Sequence, residues 1–105
     1  MNQYDIYLVN LVSSTSSEVK KTRTCLIISP DEMNQNLDTL IIVPLTFQSS
    51  VYPTRVPLTF QGKPGYIVLD QIRTVNRSRL VKKLGKIGMS TAVKVKSLLS
   101  EMLIE

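Results

Sequence analysis

"GKIGMSTAVKVKSLLSEMLIE" (residues 85–105) is where the chain changes its period, and that change decides the fold. Ala92, Val95, Leu98, Leu99 and Met102 recur at helical spacing on one face, while Lys94, Ser97 and Glu101 fall on another. Ser90 is the expected helix N-cap. A Leu/Met stripe of this kind serves a core or a subunit contact rather than a cofactor. Everything upstream reads as short strands. "DIYLVNL" (5–11) alternates, whereas "TCLIISP" (24–30) and "TLIIVPL" (39–45) are nearly continuous apolar runs, the mark of strands buried on both faces. "TRVPLTF" (54–60) carries Pro57, which confines it to an edge or a bulge. "GYIVLDQIRTV" (65–75) is a long strand candidate with a break near Asp70. Loops are expected over 12–21, 29–36 and 47–53. Short strands followed by one terminal helix imply a mainly β, α+β protein: a small curled barrel with the helix on its outside.

With 105 residues, 43% hydrophobic and 20% charged, the chain is expected to form a single domain over 1–105 with a modest core. No targeting segment is visible, and the longest apolar runs are strand-sized, too short for a membrane span. Cys25 is the only cysteine and lies inside an apolar run, so a buried thiol and a cytoplasmic setting are expected. The sequence contains no histidine, which removes Ser-His and Cys-His nucleophiles and, with one cysteine, a structural zinc site. No metal or cofactor is expected, and any chemistry must run on Arg, Lys, Thr, Ser, Tyr and carboxylates.

The net charge is +5 with a pI near 9.6. "QIRTVNRSRLVKKLGKIG" (71–88) contains six Arg and Lys residues and no acid. Charge alone leaves a polyanion site and a solvated face equally open. A sharper signal is "KKTRTCLIIS" (20–29), where Arg23 stands at the point at which a basic loop becomes an apolar strand. A guanidinium anchored there offers a planar fork matched to phosphate oxygens; the alternative is a solvated flank beside Lys20 and Lys21.

Taken in order, the segments resemble the MazF/PemK family of toxin endoribonucleases. The resemblance runs through "DIYLVNL", "SSEVKKTRTCLIISPDEMN", "VPLT", "YPTRVPL" and "IVLDQIRTVNRSRL", the last being the most diagnostic. Departures are Tyr4 for the opening glycine, Val12 and Ser13 for an Asp-Pro or Asn-Pro pair, Ser16 for a loop glycine, Thr24 for proline and Asn76 for aspartate. Ser17 and Val68 stand where some members carry a histidine and an arginine, so a histidine-assisted chemistry is not available to this chain.

The resemblance implies an SH3-like β-barrel of the CcdB/MazF type and a homodimer. It also implies a toxin of a type II toxin–antitoxin system, neutralised by an antitoxin with an acidic, partly disordered tail. The implied activity is metal-independent, sequence-specific cleavage of single-stranded RNA to 2′,3′-cyclic phosphate and 5′-hydroxyl ends. Such a reaction needs little from the protein: the RNA supplies its own 2′-hydroxyl, and the enzyme contributes positioning and charge. Arg23 matches the family's catalytic arginine, and Thr46 matches the residue whose hydroxyl donates to the transition state. Glu18 is expected to orient Arg23 or act as base; a nearby cation would weaken it as a base. Asp70 matches a carboxylate proposed as base in some members, against a structural acid at a strand bend. Gln71 and Arg73, placed on one face by strand alternation, are expected to read RNA, with Ile72 on the other. Phe47 and Tyr52 could stack bases, and Lys20, Lys21, Gln48 and Arg55 complete the expected RNA path.

Two other functions compete. A CcdB-like gyrase poison would share the fold, but the tryptophan-containing C-terminal motif it depends on is missing, since the chain has no tryptophan. A non-catalytic nucleic-acid-binding barrel derived from a toxin is the second.

Overall fold

The computed structural model describes residues 1–11, 21–48 and 52–104. Seven strands appear in chain order: β1 (Asp5–Asn10), β2 (Thr22–Ile27), β3 (Thr39–Thr46), β4 (Arg55–Phe60), β5 (Lys63–Val68), β6 (Arg73–Asn76) and β7 (Leu80–Lys86). A short helix α1 (Asp31–Asn36) separates β2 from β3, and α2 (Met89–Leu103) follows β7. The strands are joined in the order β4-β5-β3-β2-β1-β7, with β6 also paired to β3, and every ladder is antiparallel.

β3 is the hub. Ile42, Val43 and Pro44 pair with β2 on one side. On the other side, Thr39 to Ile42 pair with β6, whereas Leu45 and Thr46 pair with β5. A strand that changes partner along one edge cannot stay flat, and the sheet curls there into the barrel-like α+β form expected from the sequence.

The continuous apolar runs are explained by burial on both faces. Leu26, Val43, Leu45 and Ile67 lie in one cluster, which α2 covers with fully buried Val95. Ala92, Leu98, Leu99 and Met102 pack against the same cluster, so the helical stripe is core. Cys25 and Ile27, pointing the opposite way, join Val9, Leu40, Ile42 and Val75 in a second cluster.

Several local expectations are corrected. α2 starts at Met89 with Gly88 as its N-cap and no side-chain capping bond, so Ser90 lies inside the first turn. The buried Ile87 donates its N–H to the Tyr4 carbonyl at 3.1 Å, which fixes the entry to the helix ahead of Ser90. The expected loop 29–36 contains α1, held by a local buried network rather than by apolar periodicity. Ser29 Oγ donates to Asn34 Oδ1, Asn34 Nδ2 donates to the Ser29 carbonyl, and the Ile41 N–H donates to Ser29 Oγ. The run 65–75 does break near Asp70, as expected: a turn at Leu69 and Asp70 divides it into two strands. Residues 80–86 in the basic run form a strand that sequence analysis did not foresee.

β4 and β5 form a hairpin whose two turn residues, Gln61 (φ 51°) and Gly62 (φ 78°), are both left-handed, as a tight primed turn requires. Pro57 stands on an outer strand of the sheet, as expected. At the opposite end of that strand order, β7 shifts register twice against β1 and carries Lys82, Lys83 and Lys86. Tyr4 adopts φ 72°, the conformation that favours glycine, at the position where the resemblance expects one. Its backbone is clamped between Ile27 and Ile87, and its side chain packs on the first cluster, offsetting a strain of about 1–2 kcal/mol.

Candidate active site

The start of β2, the middle of β3 and the segment leading into β6 meet over the second core cluster. Arg23 faces Val9 across the β1–β2 ladder, and Arg73 faces Ile42 across the β3–β6 ladder. Between them lies a cavity of about 370 Å³ lined by Leu11, Arg23, Cys25, Ile42, Pro44, Gln71, Ile72 and Arg73. Cys25, Ile42 and Pro44 in its lining are buried, Leu11 is half-buried, and Ile72 and both arginines are exposed. Arg23 Nη2 donates to the Leu45 carbonyl at 3.4 Å, which ties the guanidinium to the residue immediately before Thr46.

Thr46 ends β3 and is half-buried. Its Oγ1 accepts from the Gln48 N–H at 3.3 Å. A hydroxyl whose oxygen is already accepting has its proton free to point at an incoming acceptor, the geometry a donor to a phosphate oxygen needs.

Cys25 is 1% exposed, and its Sγ contacts the Arg23 carbonyl at 3.6 Å. Burial pushes its thiol from 9.0 up to about 11, and the positive charges of Arg23 and Arg73 pull the other way. Burial wins. The thiol is therefore a neutral wall of the cavity at physiological pH rather than a nucleophile.

Gln71 and Ile72 precede β6 and lie outside any strand, so the strand alternation expected for 71–73 does not operate. Ile72 lines the same cavity as Gln71 and Arg73, and all three residues are exposed. Asp70 belongs to a different group. It accepts from Thr54 Oγ1 at 2.9 Å and stands 3.8 Å from Arg55 Nε. The Arg55 guanidinium lies over the Tyr52 ring at 4.7 Å, its side chain is 15% exposed, and its Nε is buried without a hydrogen-bond partner. Asp70 and Arg55 line no part of the Arg23 cavity. Phe47 and Gln48 line a second cavity. Lys21 is exposed just ahead of β2, while Glu18, Lys20 and the rest of the expected loop 12–21 lie outside the described residues.

Sequence reasoning missed the apolar lining of the first cavity (Leu11, Cys25, Ile42, Pro44, Ile72). Those residues read as ordinary strand interior, and only the curl of β3 brings them under two arginines. It also missed a polar extension. A neighbouring cavity of about 310 Å³, lined by Asn10, Arg73, Thr74, Asn76 and Arg79 among others, shares Leu11 and Arg73 with the first. Asn76, which stands where the resemblance expects aspartate, accepts from the Ser78 N–H at 2.9 Å and caps the 3₁₀ turn Arg77–Arg79. The amide oxygen does what a carboxylate would do there. Among the described residues no group of three His, Cys, Asp or Glu side chains could hold a metal ion. No helix among them is long and apolar enough to cross a membrane.

A curled antiparallel sheet with a terminal helix, carrying a cleft walled by two arginines, places the chain among small barrel-like α+β proteins. Residues 2–103 match the family described as PemK-like, MazF-like toxin of type II toxin-antitoxin system. The endoribonuclease MazF of Staphylococcus epidermidis is 31% identical over 97 residues, covering 87% of this chain and 81% of that protein. The endoribonuclease toxin MazF of Escherichia coli K12 is 29% identical over 85 residues, covering 80% of this chain and 77% of its own. Among solved structures, a MazE-MazF complex from Deinococcus radiodurans superposes with a TM-score of 0.83 at 23% identity, covering 98% of this chain and 95% of that one. An endoribonuclease in complex with its cognate antitoxin, from mycobacterial species, gives 0.82 at 23% identity, covering 98% and 94%. The chain belongs to the PemK-like, MazF-like toxin family.

Proposed function

We propose that this chain is the toxin of a type II toxin–antitoxin pair and acts as a metal-independent endoribonuclease on single-stranded RNA. The observation that carries the reading is the convergence of Arg23, Gln71 and Arg73 on one cavity, with Arg23 bonded to the carbonyl just before Thr46. In the reaction the RNA 2′-oxygen loses its proton and attacks the adjacent phosphorus, and the bond to the 5′-oxygen breaks as that oxygen takes a proton from water, leaving a 2′,3′-cyclic phosphate and a 5′-hydroxyl. Arg23 neutralises the non-bridging oxygens of the phosphorane, and the Thr46 hydroxyl donates to one of them. Arg73 and Gln71 hold the neighbouring backbone and base. The paired state of Asp70 favours a structural acid over a general base, which leaves Glu18 or water to take the 2′-proton.

An antitoxin with an acidic, partly disordered tail would cover the same cationic surface, with an affinity that falls steeply as salt rises. A homodimer would cover the apolar side chains that α2 leaves exposed, Met89, Val93 and Leu103. Sedimentation at micromolar concentration should show a dimer; a monomer would refute that element alone.

The discriminating assay incubates purified protein with single-stranded RNA in EDTA and maps the ends. Scission leaving cyclic phosphates supports the reading. Gyrase-dependent DNA breaks would point to the CcdB-like alternative, and RNA binding without scission to a non-catalytic barrel.

A further inference from the structure

Where β3 exchanges partners it leaves a gap. Ile42 is its last residue paired with β6 and Leu45 its first paired with β5, so the connection 69–72 passes Pro44 between them. By strand alternation Pro44 presents its backbone to the same edge as Ile42, and a proline has no N–H to tie the connection down. The restraint comes from the other side. Leu69 is fully buried and donates its N–H to the Thr54 carbonyl at 3.2 Å, while the Gln71 N–H donates to the Val68 carbonyl at 3.3 Å. The one polar side-chain fastening among the described residues is Asp70, held by Thr54 and Arg55. The Gln71 side chain makes no hydrogen bond among them, so its direction is inherited from this turn.

We propose that Arg55 is a positioning residue for base selection: by holding Asp70 it sets the turn that aims Gln71 into the Arg23 cavity. Arg55, expected on the RNA path, thus acts from behind it and touches no RNA. The inference rests on the ribonuclease reading and deepens it.

Arg55 is built as an anchor. It opens β4 opposite Val68, and its N–H donates to the Tyr52 carbonyl at 3.1 Å. Its side chain is 15% exposed, with the Tyr52 ring over one face of the guanidinium. Asp70 is the one carboxylate paired with it among the described residues, and partial burial shields that attraction from salt. The Arg55 side chain lines a groove between β4 and α2, with Pro57, Ser97 and Glu101 among others, and no part of the Arg23 cavity. A strand lying in that cavity meets Gln71, not Arg55.

The test compares the wild type with Arg55→Ala, Arg55→Lys, Gln71→Ala and the double variant, each confirmed as folded by circular dichroism. Amide hydrogen exchange at Gln71, measured without RNA, should quicken about tenfold in Arg55→Ala and stay near wild type in Arg55→Lys, which keeps the charge. Binding is read by fluorescence anisotropy on four 2′-O-methyl decamers, each of a single base, which cannot be cut through their 2′-oxygens. The spread between tightest and weakest decamer should shrink about three- to tenfold in Arg55→Ala, the worth of one base-edge hydrogen bond. It should shrink no further in the double variant than in Gln71→Ala, the non-additivity of two residues acting as one.

The salt dependence of binding should not change; loss of a phosphate contact would lower its log–log slope by about 0.7 and overturn the inference. So would unchanged exchange at Gln71, an unchanged spread, a wild type without base preference, or losses at 55 and 71 that add in full. Should Arg55→Ala not fold, Arg55→Gln carries the same measurements. A wild type that shows this coupling yet never cuts unmodified RNA would sink the ribonuclease reading and leave Arg55 in its positioning role.

Discussion

Thr54 gives its hydroxyl proton to Asp70 at 2.9 Å, joining the segment before β4 to the turn that leads into Gln71 and Arg73. With Arg55 3.8 Å away on the same carboxylate oxygen, Asp70 is occupied in fastening two loops together. Asp70→Asn keeps an acceptor for Thr54 and should retain cleavage within about tenfold, whereas loss of a catalytic base costs about 10²–10⁴-fold. The carboxylate is 40% exposed, so the stability loss should be about 1 kcal/mol or less. Single-turnover rates over a range of pH check this: a collapsed rate together with a lost acid limb would restore Asp70 as the base.

Arg23→Ala should lower the cleavage rate by about 10²–10³-fold, the usual loss for one transition-state donor. RNA affinity should fall far less, since Arg73 remains in the same cavity. Arg23→Lys should recover only part of the rate, because an ammonium keeps the charge but not the fork. Full activity in Arg23→Ala would move the chemistry elsewhere.

Thr46→Val is close to isosteric and removes the hydroxyl that Gln48 orients. It should slow cleavage with little change in the thermal midpoint. An unchanged rate would exclude the hydroxyl from the reaction.

Gly65→Ala should damage fold and site together. The new methyl would meet the Thr46 carbonyl at 2.6 Å, a backbone atom in the β3–β5 ladder that cannot swing aside. A loss of roughly 1–3 kcal/mol in urea unfolding is expected, as for other overpacked sites. A stability equal to wild type would show that the ladder yields more easily than its geometry implies.

The Cys25 thiol makes stability fall at alkaline pH. Its folded value, about 11, lies above the ordinary 9.0, so the unfolded chain loses the proton first. The contribution is fully present below pH 9 and is lost as pH rises from there through about 11, a change on the order of 2 kcal/mol. Cys25→Ala should lose less stability than wild type between pH 8 and pH 10.5, a difference that cancels the titration of Lys and Tyr common to both. Equal losses would refute the assignment.

What could be read in advance followed the physics of each segment. The α2 stripe from Ala92 to Met102 carries a strong periodic signal and the doubly buried runs around Leu26 and Val43 a continuous apolar one, and together they gave away the architecture. The helix α1 carries none, because Ser29 and Asn34 hold it through buried hydrogen bonds that no spacing rule anticipates. The β4–β5 turn escaped notice because Gln61 takes a left-handed conformation usually advertised by asparagine or aspartate. At the site, Arg23, Gln71 and Arg73 were legible as residues, but their meeting depends on β3 exchanging β6 for β5 along its length. The separation of Asp70 from them was equally invisible, since it is decided by which neighbours, Thr54 and Arg55, the hairpin brings within reach.

The two rims of the sheet bear on how such a protein behaves when it is alone. Pro57 offers no amide hydrogen on one rim, and the lysines and twice-shifted ladder of β7 spoil the other as a template. At those two rims a newly made copy is therefore poorly suited to stacking with its siblings into fibres. A chain that restrains it by gripping the face around Arg23 and Arg73 would compete with the ligand for the same ground, and removing that chain would free the cleft with no strand to peel from either of these rims.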